Sequence, residues 1–181
     1  MIKKDNLINQ KYCEHLAHTL STEGKFPWYF VYDSANTGSG VFEPSFVHTL
    51  WYQGQPHSDK WQMFYPAVLE IFDKFDIEPV EIMRVRLGLI TKSYKNIVHG
   101  PHVDWENVAH KTILYYLNDA DGDTHFYKEH WALNNIPTSF TLEERITPKQ
   151  NSAVLFDGYQ YHSSSTPVSS PWRLAMNINF Y

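Results

Sequence analysis

The sequence predicts an α+β domain built on a double-sheet jelly roll, and three observations lead there. Helical periodicity lies in the first 79 residues, and strand-and-turn patterns fill about 80–181. The chain is also rich in rings, with 6 Trp, 12 Tyr and 11 Phe. Aromatic residues suit a pleated, half-buried surface, and helices followed by a run of strands imply segregated layers. At 181 residues one domain is expected, with helical support and strands in 1–79 and the jelly-roll core in about 80–181.

Each element has its own signal. An amphipathic helix over about 6–20 is expected from Leu7, Ile8, Tyr12, Leu16 and Leu20. Residues 28–32 and 46–52 read as strands, and the Gly/Ser-rich stretch 36–40 as a loop. The clearest helix places Trp61, Phe64, Tyr65, Val68, Leu69 and Phe72 on one stripe. Asp59 stands at its N-cap position, with Gln62 as a capping-box partner. Strands follow near 80–91, 110–118, 124–128, 139–146, 152–157 and 172–181, with Asp121-Gly122 expected to turn a hairpin.

Composition narrows the function classes. A formal charge of -5 carries no basic footprint, which argues against duplex nucleic acid as a partner. The single cysteine, Cys13, allows no internal disulfide and fits a reducing compartment. Residues 1–6 lack the apolar run of a signal peptide, and no stretch approaches the roughly 20 apolar residues of a membrane span. A cytoplasmic protein without membrane partners is expected.

One constellation carries chemistry: His102-Val103-Asp104, then His162, then Arg173. Residues i and i+2 of an extended chain point to the same side, so His102 and Asp104 can reach one ion. In a jelly roll a distant strand end can bring His162 to the same mouth. Two His and one carboxylate leave open positions on a metal, the arrangement of non-haem Fe(II) oxygenases. The competing reading makes His102 a loop histidine and Asp104 a turn cap. A second copy, His57-Ser58-Asp59, is discounted because Asp59 is assigned to the helix cap. Arg173 begins an alternating terminal strand and shares a face with Ala175, Asn177 and Asn179. There it can grip a carboxylate through two parallel hydrogen bonds. Of Tyr115 and Tyr116, one ring is expected to face inward and the other outward, and a buried hydroxyl needs a partner such as a bound carboxylate or the backbone.

These residues, with 113–118, 121–126 and 148–157, resemble the 2-oxoglutarate and Fe(II)-dependent dioxygenases, in the prolyl-4-hydroxylase-like branch. The resemblance covers about 80–181, and its strands are also similar to those of small oxygenases carried by marine bacteriophages. If phage-encoded, the protein would work in the host cytoplasm. The resemblance implies a double-stranded β-helix, a cupin-like jelly roll with supporting N-terminal helices. It implies Fe(II) held by His102, Asp104 and His162, with 2-oxoglutarate and O2 as co-substrates. Arg173 would pair with the distal carboxylate of 2-oxoglutarate, and Tyr116 would donate a hydrogen bond to it. The activity implied is hydroxylation of a small-molecule or peptide substrate, prolyl residues included, with release of succinate and CO2. The carboxylate ligand Asp104 favours hydroxylation over halogenation. Many collagen-type members carry lysine where Arg173 stands, and residues 91–96 replace a Gly-rich turn before the first ligand.

Other candidates have plainer readings. Asp119–Asp123 looks like a calcium loop but has His130 where the twelfth-position glutamate belongs. Cys13, His15 and His18 are read as helix surface, and His99 and His110 as loop residues or partners of the ligands. Arg84 and Arg86 share one strand face, solvated or lining the site. Trp28, Tyr29, Trp51, Tyr52 and Tyr94 are core residues or an aromatic groove. The rivals to an oxygenase are a non-catalytic metal-binding jelly roll and a structural phage component. Free amino acids, metabolites and modified nucleobases stay open as substrates.

Overall fold

The computed structural model describes residues 1–22, 25–33, 43–133 and 135–181. Its strands form two antiparallel sheets. The large sheet takes β1 (Ile2–Asp5), β2 (Tyr29–Val31), β3 (Ser45–Tyr52), β4 (Gln55–Pro56), β5 (Ile82–Thr91), β6 (Lys111–Tyr116), β9 (Ser152–Asp157) and β11 (Trp172–Phe180). Their order is β1-β9-β6-β11-β5-β3-β2, with β4 on β3. The small sheet, β10-β7-β8, takes β7 (Thr124–His130), β8 (Leu142–Ile146) and β10 (Gln160–Ser164). Helices α1 (Gln10–Ser21) and α2 (Trp61–Phe75) complete the described elements. The double-sheet jelly roll expected from the sequence is present.

Alternation sorts the large sheet into two faces. Val85, Leu87, Ile113, Tyr115, Leu174, Met176, Ile178 and Phe180 form one core with the helices, where Phe64, Val68, Ile71 and Phe72 of α2 pack. The opposite face buries Leu114, Tyr116, Val154, Phe156 and Ala175 against Phe126 of the small sheet. Tyr115 and Tyr116 therefore do point to opposite faces, but neither reaches solvent, because both faces of β6 are covered. Tyr115 Oη donates within the helix-side core, toward Cys13 Sγ and Asn151 Oδ1.

Several boundaries differ from the sequence reading, each for a local reason. Helix α1 begins at Gln10 rather than near residue 6, because Asn6 is left-handed (φ 55) and Asn9 caps the helix through the Tyr12 N–H. Leu7 and Ile8 are buried ahead of the helix, which is why they extended its apolar pattern. Asp59 does not cap α2: its carboxylate pairs with Lys60, while Ser58 Oγ accepts the Lys60 N–H. The 139–146 strand shortens to Leu142–Ile146. The sequence reading has no strand at β10, where the serines look like polar surface, yet Ser163 and the adjoining Ser165 are fully buried. The 36–40 loop lies outside the described residues.

Asp121-Gly122 turns no hairpin. β6 already has β9 and β11 on its two edges, so β7 must enter the other sheet. The Asp121 carboxylate instead accepts the N–H groups of Val168, Ser169 and Ser170, tying the β6–β7 crossing to the loop before β11. Gly122 fits because a Cβ there would stand 2.5 Å from Ser165 O and 2.9 Å from Pro167 N. The Asp119 and Asp123 carboxylates accept from Gln150 N and Thr147 Oγ1, in keeping with a turn rather than a calcium loop.

Candidate metal centre

The face of β11 that turns from the helices carries Arg173, Ala175, Asn177 and Asn179. Registered beside them are Ile90, Gly88, Arg86 and Arg84 of β5. On the other flank lie Tyr116, Leu114 and Thr112 of β6. This interior floor explains Arg84 and Arg86: they line the site rather than a solvated sheet face.

Two histidines are set over it by backbone pairing. His102 lies outside the named strands, yet it and His162 of β10 form an antiparallel bridge, each N–H donating to the other's carbonyl at 3.0 Å. Residues paired this way present side chains together on one side, and the imidazole centroids are 4.7 Å apart. Nδ1–H of His102 donates to Gly100 O (3.2 Å), and Nδ1–H of His162 to Gln160 O (3.1 Å). A carbonyl can only accept, so each Nε2 keeps a free lone pair, the usual way a metal-binding tautomer is fixed. Phe126 and Phe156 wall His162.

Asp104 completes the cluster. Its Oδ2 is 3.9 Å from His162 Nε2, and one donor atom from each of His102, Asp104 and His162 lies within 4.8 Å of the others. Arg84 Nη2 donates to Oδ1 at 2.7 Å, while Asn177 and Asn179 donate to Oδ2 at 3.0 and 2.9 Å. Arg84 is itself fixed by Asn179 Oδ1 and lies over the Trp105 ring.

Electrostatics match the geometry. Burial, with the neighbouring His162, pushes His102 down to about 3, and burial also lowers His162. Burial alone would raise Asp104, but Arg84, the two histidines and Arg86 outweigh it and hold the carboxyl well below the usual carboxylate range. Near neutrality the cluster is two neutral imidazoles and one carboxylate, the protonation state that a divalent cation needs. These residues fit Fe(II).

Arg173 lies deeper in the same cavity, which His102, His162, Thr124, Leu114 and Gly88 also line. It is only 5% exposed. Its Nη2 donates to Thr124 Oγ1 at 2.8 Å, its Nε has no partner, and among the described residues no carboxylate forms an ion pair with it. A buried, unpaired guanidinium is costly unless an anion completes it. Tyr116 lies under this cation, ring centroid to Cζ 5.6 Å, and its hydroxyl bonds Thr124 Oγ1 at 2.7 Å. Thr124 thus links Tyr116 and Arg173, a role the sequence reading missed because a lone threonine at a strand start carries no signal.

The remaining candidates separate. His99 and His110 are buried rather than solvated. His99 Nδ1 meets Ser164 Oγ, and His110 Nδ1–H donates to Val108 O. His15 and His18 are exposed on α1, whereas Cys13 is buried. Trp28 and Trp51 pack against the core, Tyr29 and Tyr94 are exposed, and Tyr52 stacks on Trp105.

A jelly roll that converges two histidines and a carboxylate beside a buried arginine is a double-stranded β-helix fold with a candidate metal centre. No protein-family model and no curated protein matches the sequence. Solved structures do match in fold. One is the non-haem α-ketoglutarate-dependent epimerase SnoN of nogalamycin biosynthesis, in complex with Fe3+, α-ketoglutarate and nogalamycin RO, at TM-score 0.66 and 12% identity, over 99% of this chain and 77% of that one. Another is a Pseudomonas putida prolyl-4-hydroxylase, at TM-score 0.61 and 12% identity, over 99% and 90%. A third is a Trichoplax adhaerens prolyl hydroxylase in complex with a hypoxia-inducible-factor peptide, at TM-score 0.63 and 13% identity, over 99% and 82%. At such identities the likeness is one of fold. The phage-type resemblance gains no support from them.

Proposed function

We propose that the chain is an Fe(II)- and 2-oxoglutarate-dependent dioxygenase that hydroxylates a small-molecule or peptide substrate. His102 Nε2, His162 Nε2 and an Asp104 oxygen hold the iron; Arg173 pairs with the distal carboxylate of 2-oxoglutarate. When bound, the iron and its co-substrates supply the oxidising power, with succinate and CO2 as products. Residues 80–181 carry the site on the support of 1–79, which adds Ser45 and Val47 to the pocket lining.

The observation that carries the reading is the shared cavity. One end has the two histidine ligands with their Nε2 lone pairs free, beside Asp104, and the other has a buried guanidinium that pairs with no carboxylate among the described residues. A dicarboxylate satisfies both ends at once. A metal-binding module without turnover explains the ligands but leaves Arg173 unpaired. Thr124 and Tyr116 orient the guanidinium; with Thr124 Oγ1 accepting from Arg173 and donating to Tyr116 Oη, the Tyr116 O–H is left to donate to the carboxylate. Phe126, Phe156 and Leu114 keep water from the buried end.

The test is an anaerobic titration of the purified protein with Fe(II) and 2-oxoglutarate, followed by O2 and a succinate assay. A weak visible charge-transfer band and slow uncoupled succinate are expected. His102→Ala or His162→Ala should abolish both, and Arg173→Ala should mainly raise the 2-oxoglutarate requirement. Metal binding with neither band nor succinate would establish the non-catalytic module instead.

A further inference from the structure

Arg86 is a second guanidinium at the site that no described residue pairs with. It sits near the middle of β5, opposite Asn177 of β11 and Thr49 of β3. Burial pulls its pKa down to about 10, with Arg84 adding to the shift and Asp104 opposing it. Arg84, two residues away, is committed to Asp104 and Asn179. Arg86 forms no hydrogen bond or ion pair with any described residue. It lines both the inner cavity that leads to Arg173 and an outer cavity of about 600 Å³ that opens beside His102 and Asp104.

A second donor points the same way. Trp105 follows the carboxylate ligand and lines the outer cavity, and its Nε1 is buried without a partner. Its ring stacks on Tyr52 at 6.0 Å and lies 5.7 Å from the Arg84 guanidinium, the two being registered neighbours on β3 and β5. The outer cavity therefore offers, beside the metal ligands, a cation without a partner among the described residues and a buried indole N–H without one. Asp33 and Glu106 also line it, so a dianion would be repelled there. The remaining wall is apolar and aromatic, with Ile136, Phe140 and Tyr161.

We propose that the primary substrate carries a single carboxylate that docks on Arg86 and Trp105 Nε1 in the outer cavity, with an apolar body against Phe140 and Tyr161. Arg86 thereby selects substrate, and Arg173 selects co-substrate. This inference rests on the oxygenase reading and deepens it. A charge-assisted bond to a half-buried arginine orients a carboxylate through two parallel contacts, and a 600 Å³ cavity suits a small acid or one acidic side chain.

Benzoate is a suitable probe, with benzamide as the neutral control. Each is titrated into the anaerobic Fe(II)·2-oxoglutarate complex while the charge-transfer band is followed. Benzoate should shift the band saturably and benzamide should not. Arg86→Gln should weaken benzoate by about tenfold or more, Arg86→Lys by less. Trp105→Phe keeps the ring and its stacking but loses the N–H, and should weaken benzoate by about threefold. Equal responses to acid and amide, or none to either, overturn the inference. So does loss of the band as benzoate displaces 2-oxoglutarate, which would place Arg86 on the co-substrate. Absence of the band in the wild-type complex before any benzoate is added refutes the oxygenase reading itself.

Discussion

At the scale of single residues, the site is decided by who holds Asp104. Arg84, Asn177 and Asn179 satisfy both carboxylate oxygens, so the ligand is oriented before any metal arrives. Arg84→Met should lower metal affinity by about 10–100-fold, the usual cost of losing such a support. Because Asp104 would lose its main counter-charge, metal binding should also become pH-dependent at mildly acid pH, which titration at two pH values would detect. A merely structural Arg84 would leave that pH profile unchanged. The histidines predict acid sensitivity of the metal-free protein. His102 titrates near 3 when folded but near 6.5 when unfolded, so between those values the unfolded chain binds the extra proton. Stability should therefore fall as pH drops below about 6.5, with His102 alone contributing a limiting slope on the order of 1.4 kcal/mol per pH unit. The depressed Asp104 adds a loss of the same sign, below about pH 4. Urea midpoints at pH 7, 6 and 5 would show the slope, and His102→Gln should reduce it by its own share, leaving the part due to the likewise depressed His162 and His99.

At the scale of elements, the crossing between β6 and β7 determines whether the two sheets meet in register. Gly122 passes against the backbone at Ser165 and Pro167, and neither obstructing atom belongs to a flexible side chain. Gly122→Ala should cost about 1–3 kcal/mol by overpacking, read as a lower thermal midpoint. It should also lower metal affinity, because Ser165 leads back into β10 and His162. An unchanged midpoint would mean that the crossing is more pliable than its contacts suggest. β10 matters for the same reason. Its polar serines hide it from hydrophobic patterning, but Ser163 is satisfied by Tyr127 Oη and Ser165, just beyond it, by Asn96 Nδ2.

At the scale of the whole molecule, one large sheet carries two cores. The helix-side core uses Phe64, Ile71 and Phe72 of α2 against β11, and the inner face is left for Arg84, Arg86, Asn177 and Arg173. Buried cations on that floor reduce stability until anions arrive, so ligands should stabilise the fold strongly. A co-substrate at 100 times its Kd should add about 2.7 kcal/mol, a rise of several degrees in thermal midpoint for a chain of this size. Arg173→Ala should lose the 2-oxoglutarate increment and keep the metal increment. Equal increments in wild type and variant would place the co-substrate elsewhere.

The sequence by itself determined the strand-rich second half, helix α2, and the residues that could converge, because apolar periodicity and spacing are local properties. His102, Asp104, His162 and Arg173 stood out on chemistry and spacing, and the strand face of Asn177 and Asn179 was readable from alternation. Only the tertiary structure decided that Asp121-Gly122 joins two sheets instead of turning a hairpin, since that depends on both edges of β6 being taken. Only it paired His102 with His162, through backbone bonds between segments sixty residues apart. And only it divided the arginines of β5, giving Arg84 to Asp104 and leaving Arg86 without a partner among the described residues, because which carboxylate lies opposite a strand is fixed by register and not by composition.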